Sequence, residues 1–154
     1  MFRRPLTLFR TLAIAEAVSW TLLIAGLVLR GLTGVGVGVT IGGAVHGLVF
    51  LAYGATALLV ALNQRWGAAP TAVALASAIV PYATVPAELW LQRTGRLDGA
   101  WRLAATDDPR DRTRRDRALR ALLNHPRALV AALVLGVAAV FAILLLVGPP
   151  GGSR

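Results

Sequence analysis

The sequence predicts an all-α integral membrane helical bundle, a three-helix domain followed by a fourth, C-terminal transmembrane helix. Three observations carry that expectation. The 154 residues are 56% hydrophobic with a mean hydropathy of +0.67, and only 15% are charged, against roughly 25% in soluble domains. A soluble fold of this length leaves too much of its chain at the surface to hide so much apolar area. Four apolar stretches each approach the ~20 residues that cross a bilayer. Alternation at strand period is absent, which excludes a membrane barrel. The lack of cysteine removes disulfides, thiolate metal sites and cysteine nucleophiles.

The elements follow in order. Residues 1–10 hold Arg3, Arg4 and Arg10, a short basic flank. The first span covers about 11–29. Its Ala13-Ile14-Ala15 mimics a signal-peptide cleavage site, but the preceding apolar run is too short for a signal core, so cleavage is not expected. A glycine-rich connection, GLTGVGVG, leads to a second span over about 39–62. The third, about 68–91, closes on Trp90 and Arg93, an interfacial anchor pair. These spans form a membrane domain over 1–96. Residues 97–126 form an Arg-rich polar linker, in which 111–124 reads as an amphipathic surface helix with Ala118, Leu119, Leu122 and Leu123 on its apolar side. Pro109 and Pro126 bracket that helix. The remainder, 127–154, is a span free of polar side chains and a GPPGGSR tail that cannot continue a helix.

The net charge of +9 is concentrated: ten Arg and five Asp lie between Gln92 and Arg127. A basic segment between apolar spans meets anionic lipid headgroups rather than nucleic acid. Arg110, Arg112, Arg114, Arg115, Arg117 and Arg120 are the expected headgroup contacts. With four full spans, the N-terminus and the 64–67 loop share one face, while Arg30 and the linker share the other. Eleven Arg against five then place the linker in the cytoplasm and both termini outside. A rival threading makes the third segment re-entrant, broken at Pro81 and Pro86.

Three ionisable groups fall at bilayer depth, where each costs about 2.5–3.5 kcal/mol on insertion scales. Glu16, Ser19 and Trp20 share one face of the first helix. His46 has Gly43 and Gly47 on either side, a GxxxG that admits a close neighbour, and Tyr53 two turns on. Ser77, Pro81, Thr84 and Glu88 make a polar stripe down the third span. Depth arithmetic sets Glu16 and His46 each about 6 Å from mid-span, on opposite sides. The expected partners are therefore Ser77 or Tyr53 for Glu16, and Thr84 or Glu88 for His46, with Glu88 alternatively snorkelling to the interface. A buried Glu16 also predicts that Glu16→Leu destabilises by leaving partners unpaired. Ser19 and Ser77 have no base beside them in sequence and read as packing residues. No catalytic residues, metal site or cofactor are expected: His125 is remote from His46, and no Glu-x-x-His pairing exists.

These residues resemble domain-of-unknown-function family 3817, small bacterial integral membrane proteins. The resemblance runs over residues 8–96. It rests on Arg10-Thr11-Leu12-Ala13 before Glu16-Ala17-Val18-Ser19-Trp20, and on Gly43-Ala44-Val45-His46-Gly47-Leu48-Val49-Phe50-Leu51-Ala52-Tyr53. Arg65-Trp66 and Pro81-Tyr82-Ala83-Thr84 with Glu88 complete it. It implies a three-helix membrane domain and brings no activity. The linker and fourth helix lie outside it. The expected role is a non-enzymatic subunit or accessory factor of a bacterial inner-membrane assembly. The bilayer, and a membrane-protein partner or second copy, are its expected contacts. The alternative is a small transporter or ligand-binding protein using Glu16 and His46.

Overall fold

A computed structural model describes residues 4–147, so Arg3 and the GPPGGSR tail lie outside the described residues. The described elements are all helical: α1 (Pro5–Thr33), α2 (Val37–Gln64), α3 (Ala68–Ser77), α4 (Thr84–Arg93), a 3-10 turn (Pro109–Arg112), α5 (Arg114–Asn124) and α6 (Pro126–Val147). Three of them, α1, α2 and α6, are long and apolar enough to cross a membrane.

Helices α1 and α2 form an antiparallel hairpin. Pro5 opens α1, where its missing N–H goes unused. Gly34 closes it at φ 75, donating its N–H to the Arg30 carbonyl at 2.9 Å. The register is fixed by bare backbone: a Cβ on Gly26 would stand 2.5 Å from the Gly38 oxygen, and one on Gly42 would stand 2.9 Å from the Leu22 oxygen. The GxxxG of the sequence reading does not make this contact. A Cβ on Gly43 would meet only the Leu23 side chain, at 3.9 Å, and Gly47 instead faces Phe141 of α6.

The third predicted span is two helices. Residues 78–83 turn back between α3 and α4, each of ten residues and so about 15 Å long, half a bilayer core. The break is chemical. Pro81 precedes Tyr82, which takes φ 64, and Ala83 N–H bonds the Val80 carbonyl at 3.1 Å, as in a turn whose third residue is normally Gly. The hairpin enters and returns at one end of the bundle. Tyr53 Oη on α2 donates to the Ala74 carbonyl at 3.1 Å, and Thr84 Oγ1 donates to the Ala13 carbonyl at 2.9 Å. Trp66 Nε1 then donates to the Arg96 carbonyl at 2.8 Å, beyond α4.

In the four-span arrangement the 64–67 loop and the linker occupy opposite faces, whereas the structure brings them together. Arg65 at the end of α2 bonds Asp108, Asp111 and Asp116 of the linker, so both lie at the end where α1 begins. Helix α5 is capped by Thr113, which accepts from Asp116 N–H. Its Leu119 and Leu123 pack with Leu8 of α1 and Leu59 of α2, while Ala118 and Leu122 of the same predicted apolar face stay exposed. The main core gathers Phe9, Ala13, Tyr53, Val60, Leu91 and Leu97 at this same end. Helix α6 buries none of its residues.

Candidate functional site

At mid-depth of the α1–α2 hairpin, Ser19 lies level with His46 because Gly26 faces Gly38 and Leu22 faces Gly42. The Ser19 Oγ is 2.9 Å from His46 Nδ1, 3.1 Å from Glu16 Oε2 and 2.8 Å from the Glu16 carbonyl oxygen. Glu16 is 0% and Ser19 1% exposed. The Glu16 Oε1 stands 3.7 Å from His46 Nδ1. Trp20 packs on the imidazole at 4.3 Å between ring centroids, with Phe50 on it at 6.2 Å.

Glu16 and His46, which depth arithmetic keeps apart, therefore share a hydroxyl. That arithmetic centres the hairpin on the glycine-rich connection, whereas the Gly26–Gly38 approach shifts the register by several residues toward the start of α1. Ser19, read in sequence as lacking a base, has one at hydrogen-bond distance. Tyr53 and Ser77 pair with one another at 3.1 Å instead of with Glu16. Glu88 neither snorkels nor meets His46: it is 3% exposed and accepts from Arg10 Nε at 3.0 Å. Thr84 bonds α1 backbone, and Pro81 shapes the hairpin tip.

What this arrangement can do follows from proton counting. Ser19 has one hydrogen for three acceptor-capable neighbours. With His46 Nδ1–H donating to Oγ, the hydroxyl donates onward to Glu16, which makes an imidazole–hydroxyl–carboxyl relay. The order is not that of a hydrolytic triad, where the carboxylate orients the histidine from its far nitrogen. Here the carboxyl sits on the serine side. Glu16 Oε1 and Trp20 Nε1 are buried without a hydrogen-bond partner, an acceptor and a donor on neighbouring turns. No group of three metal-ligating side chains occurs among the described residues.

A second polar centre lies at the end of the bundle where α2 closes on the linker. Arg65 takes φ 53, a left-handed conformation that costs a non-glycine residue about 1 kcal/mol or more. It holds its guanidinium against Asp108, Asp111 and Asp116 at once. Arg102 donates to the Asn63 and Leu62 carbonyls and to Asp116. Of the expected headgroup contacts, Arg120 is turned inward onto Asp111 and Arg110 onto Asp108, while Arg112, Arg114, Arg115 and Arg117 are exposed. Set among ten Arg in the sequence, the five aspartates lower the net charge of the linker. They are its inward anchors.

Hydrogen bonds from Arg110 hold the Asp108 carboxyl well below the usual carboxylate range, and those from Thr106 lower Asp111. For Asp116, burial pushes up, but Arg102 and Arg65 outweigh it and the net shift is downward. Lowered values in the folded state mean stability that is present above the unfolded carboxyl range, near 4, and lost as pH falls through the folded values. The linker is thus expected to keep its amide protection from pH 7 to about 5 and to lose it below about 4. Arg65→Gln should remove that protection already at pH 7. Hydrogen exchange over 97–125 measures both; unchanged protection in Arg65→Gln would dismiss the clamp.

Residues 6–93 match a family model described as Domain of unknown function (DUF3817). A relative from Streptomyces coelicolor, described as "Putative membrane protein SCO5905", is 38% identical over 96 residues, covering 61% of this chain and 11% of that protein. The chain thus spans about a tenth of the curated relative it matches. No solved structure matches. The matched segment contains α1 to α4 with Glu16, Ser19, His46 and Glu88, and stops before the linker and α6. With more than half of its residues matched, this integral membrane protein belongs to the family of the Domain of unknown function (DUF3817).

Proposed function

We propose that the chain is a non-enzymatic accessory module of a bacterial inner-membrane assembly. The observation that carries this reading is the relative, described as a putative membrane protein, in which the matched stretch makes up about a tenth of the length. A domain that one chain carries fused to a larger membrane protein is suited to dock on one when it is separate. Helix α6, buried nowhere along its 22 residues, offers a long apolar face for such docking or for lipid.

The proposed threading has three spans, α1, α2 and α6, with α3–α4 as a re-entrant hairpin covered by α1 and α2. Thirteen of the fourteen described Arg then lie at one end, with Arg30 alone at the other. That asymmetry favours a cytoplasmic N-terminus and linker. In this cysteine-free chain, a cysteine at Thr113 should be labelled by an impermeant thiol reagent only after the membrane is opened, and one at Val35 in intact cells. The opposite pattern overturns the orientation.

Native purification in mild detergent tests the role. A membrane-protein partner recovered in fixed stoichiometry supports the accessory reading. The second reading, a transporter or ligand-binding protein, is favoured by the unpartnered Glu16 Oε1 and Trp20 Nε1 beside His46. Activity of the chain alone in liposomes, with no co-purifying partner, would replace the first reading by this one.

A further inference from the structure

Between α1, α2, the linker and α6 runs a cavity of about 440 Å³. Its wall is apolar, with Leu8 on α1, Leu59 on α2, Trp101 on the linker, and Leu129, Leu133 and Val137 on α6. It follows α6 from Pro126 to Ala138, about 18 Å of helix, close to the hydrocarbon depth of one leaflet. Spread along that length, the volume is a slender channel, too thin for a helix about 10 Å across. Its closed end is the crossing of α2 and α6, where Phe141 abuts Gly47. Its other end reaches the basic face of the bundle. Arg4 stands one turn before Leu8 on the same side of α1, and Arg127 adjoins Pro126 at the start of α6. Both are exposed, and neither belongs to the ion pairs that tie Arg65, Arg102, Arg110 and Arg120 to the linker aspartates.

We propose that this cavity holds one acyl chain of an anionic phospholipid from the proposed cytoplasmic leaflet, with Arg4 and Arg127 taking its phosphate. Apolar lining selects a hydrocarbon chain, length selects one leaflet, and the exposed Arg4 and Arg127, beside the Leu8 and Pro126 end in sequence, select negative charge. Such a site would complete the seam between the family domain and α6, which buries none of its residues in the fold. It differs from a diffuse attraction of the basic linker to the membrane, which would not depend on the cavity at all.

The test uses the full chain, delipidated in detergent, offered phosphatidylglycerol or phosphatidylcholine, and read by native mass spectrometry. The parent should retain one phosphatidylglycerol in preference to phosphatidylcholine. The double variant Arg4→Gln/Arg127→Gln should weaken that retention about thirtyfold, corresponding to ~1 kcal/mol for each Arg. Ala52→Leu/Ala55→Leu, which fills the cavity from its wall, should abolish it. Arg112→Gln/Arg114→Gln removes the same charge from exposed positions elsewhere and should leave retention unchanged. The proposal is overturned if the parent retains no lipid or retains both equally, if the filled variant binds like the parent, or if the Arg112/Arg114 control loses as much as the Arg4/Arg127 pair. Should the filled variant fail to fold, the two surface Arg variants decide the matter alone.

Discussion

Replacing Ser19 with alanine is expected to lower the stability of the bundle by about 1–2 kcal/mol, more than replacing Glu16 with leucine, although Glu16 is the ionisable residue of the pair. The Ser19 hydroxyl is the one atom that touches His46 Nδ1, the Glu16 carboxyl and the Glu16 carbonyl. Without it, the His46 nitrogen and the Glu16 oxygen Oε2 both lose their partner in a site closed to water. Removing the carboxyl has a different effect. In Glu16→Leu, Ser19 still donates to the backbone carbonyl and still meets His46, and the orphan oxygen Oε1 is gone. Exchange of a buried, poorly paired polar group for an apolar one of similar size is commonly neutral or stabilising. Thermal unfolding in detergent ranks the variants. An Ser19→Ala protein that melts with the parent, or a Glu16→Leu protein that melts below Ser19→Ala, rejects this account. The ranking reverses the expectation drawn from sequence, where the partners of Glu16 could not be counted.

Much of the architecture is legible in the sequence because the bilayer makes few demands and states them loudly. The apolar runs give α1, α2 and α6, and the proline pair marks α5. The third segment misleads, since 68–91 has the length and hydropathy of a span. What breaks it is a two-residue event, Pro81 followed by a left-handed Tyr82, and hydropathy averages over that. The residues that meet at mid-depth are also those the sequence singles out: Glu16, Ser19, Trp20 and His46 stand out because polar groups at that depth are costly. Which of them touch is not legible, because antiparallel register is set by backbone approach at three glycines in a chain that holds sixteen. Arg65 and its aspartates are missed for a related reason. Their pairing spans more than forty residues, and it exists only because the α3–α4 hairpin returns the chain to the end it left.

Substituting Gly26 by alanine is expected to be among the most damaging single-methyl changes in the membrane domain, and Gly43→Ala to be harmless. The added Cβ at Gly26 would sit 2.5 Å from the Gly38 oxygen, 2.6 Å from its carbonyl carbon and 2.9 Å from Val39 nitrogen. All three are backbone atoms, so no side chain can swing aside. The hairpin must part near its closed end, a cost of overpacking of about 3 kcal/mol or more. Alanine returns about 1 kcal/mol of helix propensity, which leaves a net loss near 2 kcal/mol. At Gly43 the nearest contact is a leucine methyl at 3.9 Å, ordinary van der Waals distance, so the same propensity acts unopposed and the protein should hold or gain stability. Because the Gly26–Gly38 contact sets the level at which Ser19 meets His46, the Gly26 variant should also disturb the imidazole, and its nitrogen resonances give a readout separate from melting. Equal melting temperatures for the two alanine variants would mean that the hairpin is not held by this contact, and that the register joining Glu16, Ser19 and His46 has another origin.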